Sequence, residues 1–271
     1  LYAVPEMWNE HERLHGIWQA SHVYPLFENA LRHHLNRSIE DHQLAMGTLF
    51  SRLSEVAVRS PHAWFPVRRS PEDIAWPSES NRYVGWPYTK YMNAMNQINQ
   101  SASVLLTSVG HARSLGVDPS RWVFLHGCAD VTEIWDVTQR VNYHSAPAIS
   151  ILGRESLAMA RINIEDITHI DLYSCFPSAV AIACRELGIP EDDPRDLTVT
   201  GGLAFHGGAG NNYVMNSIAA MADQLREDPG TYGLVTANGG YLSRHSAGIY
   251  STLPPQGPWQ RPDPVFYQQE I

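Results

Sequence analysis

The sequence predicts an α/β fold, in which helices pack in layers against a sheet. Between about Tyr91 and Thr252, short runs of β-branched and apolar residues alternate with longer segments of helical periodicity, and glycine or proline follows several of them. Apolar residues make up 44% of the 271 positions and charged residues 17%, which supplies a sizeable core. Alternating strands and helices are typical of a layered α/β domain.

The chain divides by composition into three regions. Residues 1–90 are rich in His, Trp, Arg and Pro, and we expect them to form a helical, proline-rich covering region. Residues 91–253 carry the α/β pattern, and residues 254–271 are expected to be an extended tail. Helical periodicity in the first region predicts helices over 24–35 and 38–59. The second of these is expected to bury a face made of Ile39, Leu44, Leu49, Leu53 and Val56.

Strands and helices are predicted in turn along the α/β region. The predicted strands cover 99–108, 122–127, 167–173, 232–237 and 247–252. The predicted helices cover 109–115, 147–161, 177–187 and 212–226. Three consecutive apolar residues, Val104–Leu106, favour a buried strand at the start of the region. Gly188 and Pro190 end the third helix, because neither continues a helix readily.

The charge, the cysteines and the hydropathy limit the class of protein. The formal net charge is -9, which argues against a nucleic-acid partner because such proteins favour a basic surface. Three cysteines, Cys128, Cys175 and Cys184, do not fit a secreted disulfide framework, and we expect Cys175 to pack rather than react. No apolar run is long enough to span a membrane, and the first residues do not resemble a signal peptide. We therefore expect a cytoplasmic protein.

One segment, Thr200–Asn212, carries a pattern that suits catalysis. It presents His206 in a glycine-rich turn directly before an amphipathic helix. Glycine lets the backbone approach a ligand closely, and a histidine held there can polarise a carbonyl group or transfer a proton near neutral pH. The alternative interpretation is a tight strand-to-helix turn with an incidental histidine.

A second motif, residues 11–15, matches the His-Glu-x-x-His pattern of zinc hydrolases. On a helix the two histidines share a face and the glutamate can act as a base. Gly16 follows the motif at once, and a third ligand at a recognised spacing is missing. We therefore expect a solvated helix, with zinc hydrolysis through His11, Glu12 and His15 as the alternative.

Four blocks in the second part of the chain resemble the thiolase superfamily. Met92–Ser108 resembles that family's Asn-Asp-Gly-Ala-Ala-Ala-Leu strand, and Asp171–Phe176 lies where thiolases carry Asn-Glu-Ala-Phe or His-Asp-Cys-Phe. Gly201–Gly210 resembles the Gly-Gly-x-x-x-x-Gly-His-Pro-x-Gly block, with His206 on the histidine, and Thr236–Tyr241 resembles the Cys-x-Gly-Gly-Gly block. Their order implies a thiolase-like layered α/β/α fold, represented by its C-terminal half plus the loop region.

The resemblance also implies where this chain departs from the family. The family's nucleophilic cysteine lies in the first half of the fold, so no residue here is assigned to it. The second cysteine aligns with Ala237, which cannot act as an acid or base, and the asparagine that orients a catalytic water aligns with Tyr173. His206 is retained, although Gly207 replaces the proline after it. The Tyr173 phenol can donate to an oxyanion, or act as a base if its pKa is lowered.

By this resemblance the chain is expected to be an acyl-CoA acyltransferase, similar to acetyl-CoA acetyltransferases, of lipid or sterol metabolism and with a degenerate active site. His206 is implied to form an oxyanion hole, with Tyr173 and Tyr213 in acid–base support. The implied substrate-binding residues are Gly207, Gly208, Gly239, Gly240 and Tyr241. Coenzyme A is implied as part of the substrate, and no metal or other cofactor is expected. Two alternatives remain open: retro-aldol cleavage of a CoA thioester, and a non-catalytic subunit that binds CoA or lipid.

The resemblance covers only part of the family's fold, which predicts an exposed apolar surface. Part of a layered fold exposes a large apolar face that the rest of the fold normally buries. We therefore expect the partners to be an acyl-CoA together with a second chain, a missing N-terminal half or a second copy of this chain.

Overall fold

The structure, a computed structural model, describes residues 7–271, without the side chain of Asn211. Its helices are α1 (Glu10–Leu14), α2 (Ala20–His34), α3 (Ile39–Arg59), α4 (Pro71–Ala75), α5 (Val109–Ser114), α6 (Pro147–Ala160), α7 (Pro177–Leu187), α8 (Gly202–Phe205), α9 (Tyr213–Glu227) and α10 (Pro264–Gln268). Its strands are β1 (Tyr83–Gly85), β2 (Tyr88–Thr89), β3 (Phe124–Thr132), β4 (Ile167–Asp171), β5 (Tyr232–Gly239) and β6 (Arg244–Ser251). Among the described residues, no helix has both the length and the apolar character needed to cross a bilayer.

A four-stranded sheet in the order β3-β6-β5-β4 forms the centre of the molecule. β4 runs parallel to β5, whereas β5 pairs with β6, and β6 with β3, in antiparallel fashion. Neighbouring residues of a strand point to opposite faces. Accordingly, Leu234 packs in the main core with α6 and α7, whereas Val235 packs with Met221 and Leu225 of α9. Helices therefore cover both faces of the sheet, and the predicted layered α/β class is confirmed.

Helix α6 lies so close to the sheet that one strand residue must be glycine. A Cβ atom on Gly127 of β3 would lie 2.1 Å from the backbone oxygen of Ser156 in α6. The helix begins with Pro147 in its first turn and ends at Arg161, whose φ of 59° is left-handed. Any side chain at position 127 would push β3 and α6 apart.

The covering region packs into the same core as the sheet. Helix α3 begins as predicted, because the Ser38 hydroxyl accepts a hydrogen bond from the Asp41 N–H at 3.0 Å. Phe27 of α2 and Phe50 of α3 are buried in one continuous cluster with Ile182 of α7. Helices α2 and α3 therefore hold the elements that follow β4, including the turn that carries His206.

The predicted strand over 99–108 is wrong. The chain has no regular secondary structure between Met92 and Val109, and Leu105 and Leu106 are 82% and 88% exposed. No strand of the described residues lies beside this segment. A strand is stabilised by hydrogen bonds and side-chain pairs to a neighbour, so a β-like sequence without one remains irregular.

Two further element predictions need correction. Residues 254–271 are not extended throughout, because the Asp263 side chain caps α10 and Tyr267 is buried in the main core. The strand predicted over 122–127 is β3, which begins later and continues to Thr132 because it pairs with β6 along its whole length.

The buried face of α3 also differs from the predicted one. Leu53 is buried as expected, but Ile39 and Leu44 are exposed. Helix α4 fixes the orientation of α3 by close approach at Gly47, where a Cβ atom would lie 2.3 Å from the Pro71 backbone oxygen. The face turned inward is consequently the one formed by Met46, Phe50, Leu53 and Ala57.

Protonation of His245 is expected to destabilise the fold in acid. The side chain lies on β6, is 4% exposed and leaves Nε2 without a hydrogen-bond partner among the described residues. Burial, with a smaller contribution from the Arg140 charge, lowers the pKa of His245 to about 4. The unfolded chain takes up this proton near the ordinary pKa of about 6.5, so the folded state loses stability as the pH falls below that value.

Replacing His245 with phenylalanine is therefore expected to flatten the acid limb of the stability profile. Between roughly pH 6.5 and pH 4.5, the free energy of unfolding of the wild type should fall by about 1.4 kcal/mol per pH unit more steeply than that of H245F. Urea unfolding followed by circular dichroism measures both slopes. Parallel profiles for the two proteins would contradict a neutral, buried His245.

Candidate active site

Three hydrogen bonds to the backbone of His206 hold its turn in place. The His206 N–H donates to the carbonyl oxygen of Gly202 at 2.8 Å, at the end of α8. The His206 carbonyl accepts from the Trp64 N–H at 3.1 Å and from the Gln100 side-chain amide at 2.9 Å. The covering region and the irregular segment after Met92 therefore both help to hold this turn.

Glycines before and after α8 let the chain pass close to its neighbours. Gly201 has a φ of 107°, and a Cβ atom there would lie 2.5 Å from the Ala57 side chain of α3. Gly207 has a φ of 117°, a backbone conformation that residues with a side chain rarely adopt. The glycines at these two positions are thus required by the backbone, whatever role they have toward a ligand.

The imidazole of His206 is buried, and its nitrogens make no well-formed hydrogen bond within the described residues. The residue is 2% exposed, and neither Nδ1 nor Nε2 meets the geometry of a hydrogen bond. Burial lowers the pKa of His206, and weaker contacts with the Asn216 side chain and the Thr200 backbone oppose that shift, so the ring stays neutral near pH 7. A neutral imidazole carries one N–H donor and one acceptor, and a ligand can compete for both.

His206 lines a cleft of about 890 Å³ between the end of α3, α9 and the segment around Gln100. The cleft is lined by both apolar and polar residues, including His62 and Asn216. At its edge Arg59 forms an ion pair with Asp196 at 2.6 Å. A volume of several hundred Å³ suits a small organic ligand. No local pattern in the sequence indicated these lining residues, because those other than His206 come from five separate segments.

The three predicted catalytic residues come together around the ring of Tyr213. This ring makes edge-to-face contacts with His206, at a centroid distance of 6.0 Å, and with Tyr173, at 5.7 Å. The Tyr213 hydroxyl points away from the cleft and lies 2.8 Å from Thr200 Oγ1 and 3.3 Å from Asp171 Oδ1. Burial, followed by the Asp171 carboxyl, raises the pKa of Tyr213, so the phenol keeps its proton.

Behind Tyr213, the fully buried Asp171 ends β4 and collects five hydrogen-bond donors. Its carboxyl oxygens lie within 3.3 Å of hydroxyl groups or N–H groups of Thr198, Val199, Thr200, Tyr213 and Ser217. Burial raises the pKa of Asp171, and the hydrogen bonds from its neighbours oppose that rise. This network joins β4, the segment before α8 and the first turns of α9, and so positions the His206 turn.

Tyr173 is suited to donating a hydrogen bond rather than to acting as a base. Its backbone N–H donates to Thr236 Oγ1 at 3.0 Å, which places the residue beside the carboxyl-terminal part of β5. Burial, and next the Cys175 thiol, raise the pKa of Tyr173. The lowered pKa that a tyrosine base requires is therefore not provided here, whereas the protonated phenol remains a donor.

The glycine pair Gly239 and Gly240 forms the turn between β5 and β6 and is held by α2. The Tyr24 hydroxyl lies 3.4 Å from the Gly240 carbonyl oxygen, and the Tyr241 hydroxyl donates to the Trp18 carbonyl at 2.6 Å. Tyr241 is buried. These predicted substrate-binding residues therefore pack against α2 and do not line the cleft of His206. Gly207 and Gly208 adjoin His206 but are likewise not among the residues that line that cleft.

Asn238 is a candidate site residue that sequence reasoning missed. Its amide nitrogen donates to the Tyr24 hydroxyl at 3.0 Å, and its Oδ1 is buried without a partner among the described residues. Asn238 shares a small void with Tyr173 and Ala237. Asn238 directly follows Ala237, in a block that resembles an active-site block of thiolases. That position was the signal in the sequence that could have identified it.

Among the described residues, no thiol has the properties of a catalytic nucleophile. Burial raises the pKa of Cys175 to about 11 and that of Cys184 to about 12. Cys128 is half-buried on β3, and burial raises its pKa as well. A reactive cysteine needs a lowered pKa, because the thiolate is the nucleophile.

The His-Glu-x-x-His motif forms a short surface helix in which the glutamate has a structural role. The Glu12 carboxylate accepts from the Asn9 N–H at 3.0 Å and from the Thr138 N–H and hydroxyl at 2.9 Å each. His11 and His15 are exposed. The described part of the chain contains no group of three or more residues arranged to hold a metal ion. The solvated helix expected from the sequence fits these contacts.

The fold is that of a thiolase-like protein, and the resemblance to the thiolase superfamily is confirmed by comparison with solved structures. The chain is similar to the monomeric SCP2-thiolase like protein type 1 (STLP1) from Mycobacterium smegmatis, with 41% sequence identity and a TM-score of 0.91. The match covers 97% of this chain and 58% of that chain, so this chain spans less than two thirds of the relative's length.

A more distant structure shares the fold. The Ltp2-ChsH2(DUF35) aldolase matches 88% of this chain and 65% of its own, with a TM-score of 0.70 and 19% identity. Neither a scan of protein-family models nor a search of curated proteins gives a match.

Proposed function

We propose that this chain is part of a thiolase-like protein that acts on an acyl-CoA thioester, and that His206 polarises the thioester carbonyl. The observation that carries the proposal is a buried imidazole that makes no well-formed hydrogen bond among the described residues and lines a cleft of about 890 Å³. A neutral N–H aimed at a developing oxyanion stabilises it strongly in a site that excludes water. The Tyr173 phenol, which lines the small void with Asn238 rather than the cleft itself, is the proposed second donor, and the ring of Tyr213 contacts both Tyr173 and His206.

Acyl transfer in lipid or sterol metabolism is the favoured reaction. It is supported by the similarity to an SCP2-thiolase like protein and by the position of His206 in the histidine block of thiolases. In this reaction a thiol loses its proton and attacks the thioester carbon, and the electron pair moves to the carbonyl oxygen that His206 stabilises. The tetrahedral intermediate then collapses, the original C–S bond breaks, and coenzyme A leaves and takes up the proton. Because the described cysteines have raised pKa values, the proposal takes the attacking thiol from coenzyme A or from polypeptide outside this sequence.

A second candidate is retro-aldol cleavage of a β-hydroxyacyl-CoA. Ala237 supplies no acid–base group at the position of the family's second cysteine, and this reaction needs no thiol. A base removes the hydroxyl proton, the Cα–Cβ bond breaks to release a ketone or aldehyde, and the electron pair forms a thioester enolate. Return of the proton to Cα gives the shortened acyl-CoA. His206 and Tyr173 would stabilise that enolate. The fold shared with the Ltp2-ChsH2(DUF35) aldolase is compatible with this candidate.

A non-catalytic role in binding CoA or lipid is the third candidate, and one assay set separates the three. The protein is incubated with an acyl-CoA and free thiol, and separately with a β-hydroxyacyl-CoA, while thioester loss and carbonyl products are followed by mass spectrometry. Exchange of the acyl group supports acyl transfer, and release of a ketone or aldehyde supports the aldol reaction. Saturable binding without product would leave the non-catalytic role.

The exposed segment around Val104–Leu106 is the proposed contact with further polypeptide. Leu105 and Leu106 are the most exposed leucines of the described residues and follow a sequence with strand character. The relative is described as monomeric and is longer than this chain, which favours polypeptide of the same protein over a second copy. Native mass spectrometry is expected to show this chain as part of a larger polypeptide or complex, and a lone monomer would contradict the proposed contact.

The pH dependence of turnover should report the state of His206. Its pKa is lowered by burial, so the neutral ring persists below the ordinary histidine pKa of about 6.5. We expect kcat/KM to remain on its plateau at about pH 6.5 and to fall only as the pH drops further. A half-maximal value at or above the ordinary pKa would contradict a buried, neutral His206.

A further inference from the structure

A second cavity lies on the far side of α3 from the cleft of His206. It has a volume of about 500 Å³ and is enclosed by α2, α3, the start and end of α7 and the segment after α7. Its walls are mainly aliphatic and include Leu31, Met46, Leu49, Ala181 and Ile189. The volume and the apolar lining are those of a ligand pocket for a small molecule.

One buried polar side chain lines this cavity with an unused nitrogen. His42 of α3 is 4% exposed, and its Nε2 lies 2.6 Å from Oε1 of the buried Glu28. The other carboxylate oxygen of Glu28 accepts from the Tyr88 hydroxyl at 2.9 Å, and that hydroxyl lies 2.8 Å from Ser178 Oγ. His42 Nδ1 has no partner among the described residues. Because Nε2 donates to Glu28, Nδ1 is the ring nitrogen left to form a hydrogen bond with a ligand.

The edge of the cavity is cationic. Three arginines, Arg37, Arg52 and Arg185, line it together with the single exposed carboxylate of Glu191. Glu191 is paired with Arg37 at 2.6 Å. Arg52 donates to two backbone carbonyl oxygens and Arg185 contacts the His34 ring, so these two charges have no carboxylate partner in the described contacts.

We propose that this cavity binds an aliphatic hydroxy acid. The carboxylate meets Arg185 and Arg52 at the edge, the hydrocarbon chain lies against the aliphatic walls, and the hydroxyl forms a hydrogen bond with His42 Nδ1. A buried nitrogen without a partner selects a ligand whose hydroxyl reaches it, and arginines without a carboxylate partner select an anion. The site does not involve His206 and does not depend on the proposed acyl-CoA chemistry.

Calorimetric titration with a series of ω-hydroxy acids of increasing length tests the proposal. One member of the series is expected to bind roughly fivefold more tightly than the acid of equal length without the hydroxyl. The matching alcohol, which lacks the carboxylate, should bind roughly tenfold more weakly than that hydroxy acid. Failure of every member to bind saturably to the folded protein would overturn the proposal.

Two substitutions separate the two polar contacts. In His42→Gln the side-chain amide keeps a donor toward Glu28 and removes Nδ1, so the gain from the hydroxyl should vanish while the plain acid binds as before. In Arg185→Gln both acids should lose roughly tenfold in affinity while the alcohol is unaffected. Arg154→Gln, on the exposed side of α6, is the matched control and should change none of the three.

The location is tested by filling the cavity. Ala181→Phe places a ring among the aliphatic walls and is expected to abolish binding of all probes, whereas Ala158→Phe at an exposed position of α6 should not. Thermal unfolding of each variant establishes that it is folded. Undiminished binding to folded Ala181→Phe would place the ligand elsewhere and overturn the proposal.

Discussion

Replacing His206 with alanine is expected to lower the turnover of the acyl-CoA substrate by roughly 10²- to 10³-fold. The buried imidazole lines the cleft without a well-formed hydrogen bond among the described residues, and alanine removes the donor that the oxyanion requires. The dissociation constant of the acyl-CoA should change little, because the ring makes its best hydrogen bond to the charge that develops during the reaction. Steady-state kinetics and equilibrium titration together measure the two quantities.

A matched control uses a histidine outside the cleft. His111 lies exposed on α5, and His111→Ala should leave both turnover and binding unchanged. His206→Asn keeps a hydrogen-bond donor on a shorter side chain and should retain part of the activity that His206→Ala loses. Equal turnover by the wild type and His206→Ala would contradict a role for His206 in catalysis. Loss of binding alone would assign the residue to ligand binding.

Replacing Asp171 with alanine is expected to lower the free energy of unfolding by about 3–5 kcal/mol. The carboxyl group is fully buried, and its removal leaves five donors from two segments of the chain without their acceptor. Buried donors without a partner are costly because they have lost their hydrogen bonds to water. The tyrosine that contacts His206 is one of them, so turnover should fall even where the variant is still folded.

Urea unfolding monitored by circular dichroism measures this loss. Asp192, which is exposed in the segment after α7, supplies the control: Asp192→Ala should change the free energy of unfolding by no more than about 0.5 kcal/mol. If Asp171→Ala changed the free energy of unfolding as little as Asp192→Ala, water or local rearrangement would be satisfying the five donors. That outcome would contradict the view that this network positions the His206 turn.

Local signals in the sequence were sufficient for most helices. The helix predicted over 177–187 is α7, because Pro177 sets its first turn and Gly188 ends it in a left-handed conformation. α3 likewise follows its Ser38 cap. These predictions depend on backbone geometry within a few residues, which a sequence reports directly.

Predictions that depended on distant parts of the chain were less successful. The strand expected over 99–108 has the right residue types but no neighbouring strand in the described residues. The buried face of α3 was misjudged because Gly47, rather than a pattern of large apolar residues, sets the contact with α4. Glu12 was interpreted as a possible base, yet its carboxylate accepts a hydrogen bond from Thr138, which lies 126 positions further along the chain.

In the candidate site, too, local features were predicted from the sequence and features that depend on distant contacts were not. The glycines around His206 signalled a constrained turn, and the structure places Tyr173 and Tyr213 with it as rings in contact. The sequence did not indicate that the Tyr213 hydroxyl would face Asp171, or that the Tyr241 hydroxyl would donate to the Trp18 carbonyl, before α2, rather than to a ligand. Side-chain direction in a buried site depends on packing from several segments, and no local pattern encodes it.

The most direct test is the infrared frequency of the thioester carbonyl of a bound acyl-CoA, isolated by carbon-13 labelling. We predict that binding to the wild type shifts this band to lower frequency, because a hydrogen bond from His206 weakens the carbonyl double bond. In His206→Ala the bound ligand should show the frequency of the free thioester. A bound acyl-CoA whose carbonyl band is the same in both proteins would contradict the central claim that His206 polarises the thioester.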